Sequence, residues 1–351
     1  MGLAATSVDN LYDQMYEKLK KVVPEAELQY KAELAYEIIQ LKKEKNAVIL
    51  GHNYMEPALF HSVPDITGDS LGLSREAAKT PKDTIVFCGV EFMAETAKIL
   101  NPDKNVLIPS DKAGCSLAES ITAEDVRSLK EKYPGVPVVT YVNTYADVKA
   151  ETDICCTSSN AVAVVNSLDS DQVIFLPDEY LAGNVARETG KSIIFPTKTP
   201  KSENGQSNGL QYDLVGWHGR CEVHEQFTVK DIENVRKQFP NVVVLAHPEC
   251  STEVCDASDF SGSTSAMINY VHDVEAEQYL LLTECSMGDN IAAENPDKEM
   301  VRLCSVRCPH MNQITLEMTR DALLYNQYQV DVPEDIRVRA KRAVDRMLEI
   351  G

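Results

Sequence analysis

Near its C-terminal end the chain reads Leu303-Cys304-Ser305-Val306-Arg307-Cys308-Pro309-His310. A cysteine followed by proline, with a second cysteine four residues upstream, is a common way to present thiolates to an iron–sulfur cluster. The same spacing also suits zinc, where His310 or Cys304 would be the fourth ligand beside three other thiolates, or has no metal role. Two further cysteines, in Gly114-Cys115-Ser116 and Gly219-Arg220-Cys221-Glu222, close segments that look like repeats of the one ending at Cys308. Three thiolates from three repeats make chemical sense if they meet at one metal centre. On a cubane cluster they would leave one iron without a protein ligand, open to a substrate hydroxyl or carboxylate as a Lewis acid. Cys88, Cys155, Cys156, Cys250, Cys255 and Cys285 lie in or beside strands and turns and read as ordinary buried thiols. Cys304 is either a spare thiol or a redox partner for Cys308.

Three hydroxyl-rich turns suit anions: Thr67-Gly68-Asp69-Ser70, Cys156-Thr157-Ser158-Ser159 and Ser261-Gly262-Ser263-Thr264-Ser265. Each precedes a helical pattern, whose first N–H groups and dipole favour negative charge. Ser70, Ser158, Ser263 and Thr264 are therefore expected to hold carboxylates or phosphate; capping their own helices is the plainer role. His52, Tyr54, Tyr141, Asn143, His247 and Glu249 stand where strands are expected to end. His and Glu move protons near neutral pH, and Tyr and Asn donate to oxyanions. His218 and His224 flank Cys221 as donors behind it. His61 and His272 carry no pattern and read as structural or exposed.

The elements that must position these groups recur three times. Apolar strands run into polar residues at Ala47–Tyr54, Val136–Thr144 and Val242–Glu249; each is followed by the hydroxyl turn, a helical pattern, a second strand (near 84, 172 and 279) and a cysteine. The interval from strand end to cysteine is similar in the first and third copies. In the second it is lengthened by a polar tract, 197–209, expected to be a surface loop. The pattern predicts an α/β fold of three pseudo-symmetric αβα domains with short parallel sheets, the site and any cluster lying where they meet. The expected divisions are a helical arm over 1–45, broken at Pro24, and repeats at 46–128, 129–232 and 233–351, the last with a C-terminal helix.

Composition narrows the function. The 351 residues are 44% hydrophobic and 25% charged, with 34 basic against 54 acidic residues and a net charge of −20. That balance argues against nucleic acid or an anionic membrane as partner, and no apolar run approaches the roughly 18 residues of a membrane span. Anionic substrates must then be held by local donors. Ten cysteines without a signal peptide point to a reducing, cytoplasmic setting. Met1-Gly2-Leu3-Ala4-Ala5-Thr6 fits a myristoylation pattern, though a disordered tail is the plainer expectation.

From Asn46 onward the motifs GHNY, GDSL, FMAETAKIL, GCSLAES, YVNT, TSSNA, GRCEVHE, HPE, GSTS and RCPHMN resemble, in order, those of the quinolinate synthase family of NAD biosynthesis. The resemblance implies three homologous αβα domains around a 4Fe–4S cluster held by Cys115, Cys221 and Cys308. It implies a substrate site lined by His52, Ser70, Tyr141, Asn143, Ser158, His247, Glu249, Ser263 and Thr264, with Tyr54 on a motif assigned to catalysis. The implied reaction condenses iminoaspartate with dihydroxyacetone phosphate to quinolinate, phosphate and two waters, coupled to an aspartate-oxidising enzyme. Tyr54, His247 and Glu249 are the expected proton carriers. Many bacterial members have Cys-x2-Cys-x2-Cys-Pro; here the only upstream partner in the run is Cys304, at x3, a departure that bears on a disulfide switch but not on ligation by Cys308. Another three-cysteine iron–sulfur hydro-lyase acting on a dicarboxylate is the competing activity, and a zinc-stabilised binding protein the non-enzymatic one.

Overall fold

The computed structural model describes residues 3–195, 213–303 and 306–350; the tract 197–209, Cys304 and Met1-Gly2 lie outside them. Pro24 separates two helices, Val8–Leu19 and Glu25–Glu44, as its missing N–H requires. The next apolar run, Ala47–His52 (β1), is buried along its whole length, as a parallel strand covered on both faces must be. With Ile66–Gly68 (β2), Thr84–Cys88 (β3) and Asn105–Leu107 (β4) it forms a parallel sheet of order β2-β1-β3-β4.

The second sheet contains Val138–Tyr141 (β5), Ile154–Cys156 (β6), Val173–Leu176 (β7), Ile193–Ile194 (β8) and Leu214–Val215 (β9), in the order β6-β5-β7-β9-β8. The third returns to the first arrangement. Val243–Ala246 (β10), Phe260–Ser261 (β11), Gln278–Leu282 (β12) and Glu299–Val301 (β13) run β11-β10-β12-β13, all parallel.

Two repeated devices make the three units alike in detail. In each, an aspartate after the first strand clamps it. Asp65, Asp153 and Asp259 accept from the backbone N–H of Ile49, Val138 and Val244 at 2.9, 2.8 and 2.8 Å. Their own N–H groups donate back to the carbonyls of the same residues. The second device follows the cysteines: Thr122, Thr228 and Thr315 each stand seven residues after Cys115, Cys221 and Cys308, and each N-caps a helix. Two of those caps are full capping boxes, closed by Asp125 and Asp231.

The chain does not finish beside the third sheet. The helix Leu316–Tyr325 packs on Glu25–Glu44, and Ile108 pairs with Tyr328 through two backbone hydrogen bonds. The last helix, Glu334–Glu349, packs on β6 and on the helices Ala146–Ala150 and Glu91–Leu100. Asn160 in the second hydroxyl turn donates to the carbonyls of Met347 and Ile350, at 3.2 and 2.7 Å. The C-terminal end thus braces the first two units just behind that turn.

Candidate active site

Each of the three cysteines opens a tight turn: Ser116–Glu119, His224–Gln226 and Met311–Gln313 are short helical segments just after Cys115, Cys221 and Cys308. In every copy the sulfur accepts from the backbone N–H groups two and three residues on. These are Leu117 and Ala118, Val223 and His224, and His310 and Met311. Such N–H donors favour a thiolate. Burial works the other way, pushing the Cys115 thiol up to about 12, Cys308 up to about 11 and Cys221 well above its ordinary value. A bound metal cation would reverse that balance.

The three cysteines, one from each unit, line a single cavity of about 700 Å³. An all-thiol donor set fits an iron–sulfur cluster. A lone zinc fits poorly. Three thiolates at about 2.3 Å from one ion lie within roughly 4.6 Å of each other. Among the described residues the three-donor group within 4.8 Å is instead Cys221, His224 and Glu249. His310 also faces the cavity, with Nε2 3.2 Å from Glu222. Cys88, Cys155, Cys156, Cys250 and Cys255 are buried and free, and Cys285 is half-buried and free.

The same cavity receives the ends of the first strands of all three sheets. His52 ends β1 and Tyr54 follows it, Tyr141 ends β5 and Asn143 follows it, and His247 and Glu249 follow β10. Tyr54 and Glu249 are joined through Thr283 of the third unit and His224 of the second. The Tyr54 hydroxyl is 2.6 Å from Thr283 Oγ1, and Thr283 Oγ1 is 3.0 Å from His224 Nε2. His224 Nδ1 in turn lies 2.6 Å from Glu249 Oε2. The other carboxylate oxygen accepts from Asn143 Nδ2 at 3.3 Å, and the Tyr141 hydroxyl also donates to Glu249. Burial opposes the charged carboxylate, but His224, His247 and Tyr141 outweigh it and hold Glu249 down at about 2. Burial and the nearby Glu249 charge keep Tyr54 well above its ordinary value, so its resting form is the phenol.

His52 and His247 share one geometry. The backbone N–H two residues on, of Tyr54 and of Glu249, donates to Nδ1 at 3.2 and 3.3 Å. An accepting Nδ1 puts the proton of the neutral ring on Nε2. Burial depresses both rings, to about 4 for His52 and about 3 for His247, with the neighbouring His224 also lowering His247. They are neutral donors.

The hydroxyl side is built from helix ends. Ser70 opens the helix Ser70–Lys79, capped by Asp69, whose other oxygen accepts from Ser159 at 2.8 Å across to the second unit. Thr264 opens Thr264–Asp273. Its hydroxyl oxygen accepts from Asn53 Nδ2 at 2.9 Å, leaving its own O–H free to donate to a ligand. Ser158 lines the cavity from the 157–160 turn. Ser263 does not line it; its hydroxyl caps its own helix by accepting from Ala266, and it borders a neighbouring cavity. Among the described residues no lysine or arginine lines the main cavity, whose anion donors are hydroxyls, imidazoles and backbone. Asn143 Oδ1 is buried and has no hydrogen-bond partner among the described residues.

Sequence reasoning missed Thr283 and misplaced His224. Thr283 directly follows β12, the second core strand of its unit, a position comparable to those of Tyr54 and Glu249 just beyond β1 and β10. His224, expected behind Cys221, instead joins Thr283 to Glu249. His218 is exposed, pairs with Glu179 and stacks on Phe195. His61 is buried and His272 exposed beside Asp273.

Comparison with known proteins bears on the same residues. The family model described as "Quinolinate synthetase A protein" matches residues 36–349. A quinolinate synthase of Agrobacterium fabrum is 52% identical over 336 residues, covering 96% of this chain and 91% of its own. "Quinolinate synthase 2" of Mesorhizobium japonicum is 51% identical over 96% of this chain and 97% of its own. The quinolinate synthase of Caulobacter vibrioides is 51% identical, with shares of 99% and 90%. The chain belongs to the quinolinate synthetase A family.

Proposed function

We propose that this enzyme of NAD biosynthesis makes quinolinate, phosphate and two waters from iminoaspartate and dihydroxyacetone phosphate. The observation that carries the reading is the meeting of three equivalent cysteines and the Tyr54–Thr283–His224–Glu249 chain on one cavity. Cys115, Cys221 and Cys308 would hold a 4Fe–4S cluster, which, with three protein ligands, supplies an open iron as a Lewis acid for loss of hydroxide. Transferase-type condensation with dehydration, a cytoplasmic setting and supply by an aspartate-oxidising enzyme belong to the same reading. So do the divisions at 46–128, 129–232 and 233–351 after the arm 1–45.

The chain's own residues then have distinct tasks. Two carboxylates and a phosphate need donors, supplied by Nε2–H of His52 and His247, the Ser70 and Thr264 helix ends, Ser158, and Tyr141 with Asn143. Tyr54 passes its phenolic proton to Thr283 Oγ1 as Thr283 gives its own to His224 Nε2, with Glu249 facing Nδ1 of the imidazolium. The Tyr54 oxygen then serves as the base toward a substrate C–H, and the return path delivers a proton to a leaving oxygen. Glu249 stabilises the charge on His224.

The test is an anaerobic incubation of the iron-reconstituted chain with dihydroxyacetone phosphate and freshly generated iminoaspartate. One phosphate released per quinolinate is expected. Dicarboxylate dehydration without use of dihydroxyacetone phosphate would favour the hydro-lyase instead.

A further inference from the structure

Cys221 Sγ, one ring nitrogen of His224 and one oxygen of Glu249 lie within 4.8 Å of one another. Cys221 is half-buried; His224 and Glu249 are 1% and 3% exposed. All three face the main cavity. A thiolate, an imidazole and a carboxylate are the ligand types of a three-donor zinc site whose fourth position stays open. Among the described residues His224 Nδ1 has no aligned hydrogen-bond partner, although Glu249 Oε2 is 2.6 Å away. The contact runs off the N–H direction, so the lone pair of the other tautomer is unclaimed. A metal at about 2.0–2.1 Å from each would need this nitrogen and oxygen to part slightly. Asn143 and Tyr141 continue to hold the carboxylate from its other side.

We infer that the chain without its cluster binds one zinc-class divalent cation at Cys221, His224 and Glu249. The ion displaces the Cys221 thiol proton to solvent, leaves no redox change behind, and keeps a fourth position open to water or a carboxylate. Cys115 and Cys308 take no part. The inference rests on the proposed function only in its consequence: the ion removes one cluster ligand and two members of the proton chain together, so it competes with cluster assembly. The sulfur and nitrogen donors favour zinc or cobalt over calcium or magnesium, which prefer all-oxygen ligands.

The experiment titrates cluster-free full-length protein with Co²⁺ alone, then displaces it with Zn²⁺, following sulfur-to-cobalt charge transfer and binding stoichiometry. One equivalent is expected, with the charge-transfer band lost in Cys221→Ala and affinity reduced at least about tenfold in both His224→Ala and His224→Gln. Circular dichroism checks that each variant is folded, and the glutamine variant preserves bulk if the alanine variant unfolds. Cys115→Ala and Cys308→Ala should bind as wild type. One equivalent of Zn²⁺ added before iron and sulfide should slow growth of the iron–sulfur absorbance. Binding lost in Cys115→Ala or Cys308→Ala would overturn the inference in favour of a three-thiol site, leaving the cluster assignment intact. Unchanged affinity in folded His224→Gln, or no Co²⁺ binding, would also overturn it.

Discussion

The first and third units have the same strand order and end their first strands with the same device, yet use it for opposite needs. His52-Asn53-Tyr54 and His247-Pro248-Glu249 both fold so that the third residue's N–H fixes the histidine's Nδ1. Both histidines face the cavity as neutral Nε2–H donors. The third residue differs: a phenol held protonated in one unit, a carboxylate held ionised in the other. The middle residue differs too. Asn53 reaches from the first unit to Thr264 of the third, whereas the Pro248 carbonyl accepts from Asn184 of the second at 2.8 Å. One backbone frame, repeated, thus supplies matched anion donors and, through Thr283 and His224, the two ends of a proton path.

The sharpest way to break this comparison is to remove either end of that path. Tyr54→Phe and Glu249→Gln should each lower kcat by about a thousandfold, within the range for general acid–base groups, with substrate KM changing far less. Thr283→Val should cost about a hundredfold alone. Added to Tyr54→Phe it should cost almost nothing more, because groups acting as one unit are not additive. Steady-state kinetics of the two single variants and the double would show this; multiplicative losses would mean that Thr283 acts outside the path.

The middle residues give a smaller effect of a different kind. Asn53→Ala frees Thr264 to turn its hydroxyl away from the ligand, and removes one buried hydrogen bond worth about 1 kcal/mol. KM for one substrate should rise several-fold with kcat little changed, a split that loss of the proton path would not produce. Asn53→Asp, which cannot donate, should behave like the alanine variant; recovery in it would argue for mere space filling.

The smallest effect separates the paired histidines from a buried one with no such device. His61 is held down at about 3, chiefly by burial and then by Lys18. Between its ordinary value of 6.5 and about 3, the unfolded chain binds a proton that the folded chain refuses. Stability therefore falls with pH across that window, by up to about 1.4 kcal/mol per unit. Urea unfolding of His61→Gln should show a shallower acid loss than wild type. Equal slopes would mean that burial does not govern this ring.

Much of this arrangement was legible in the residues. Continuous apolar runs announced β1, β5 and β10, and Pro24 announced the break in the arm. The three cysteines stood out through their place in the repeats, and twelve of the thirteen expected site residues line one cavity. What was hidden needed three dimensions. Thr283 is an unremarked hydroxyl until the third sheet brings its strand end against Tyr54. His224 looked like a neighbour of Cys221 because it is near in sequence, whereas the turn after the cysteine points its ring at Thr283 and Glu249. Ser263 matched its turn but spends its hydroxyl on a cap. The aspartate clamps and the threonine seven residues beyond each cysteine were readable, and would have strengthened the repeat. Weak polar signals of that kind are masked by the apolar periodicity around them.

The central claim is that three equivalent turns deliver Cys115, Cys221 and Cys308 to one cluster on which quinolinate formation depends. The direct measurement reconstitutes wild type and the three Cys→Ala variants without oxygen, recording iron–sulfur absorbance and quinolinate formed. Wild type should show both, and each variant should lose both. Activity persisting in any one variant, with its absorbance intact, would contradict the claim.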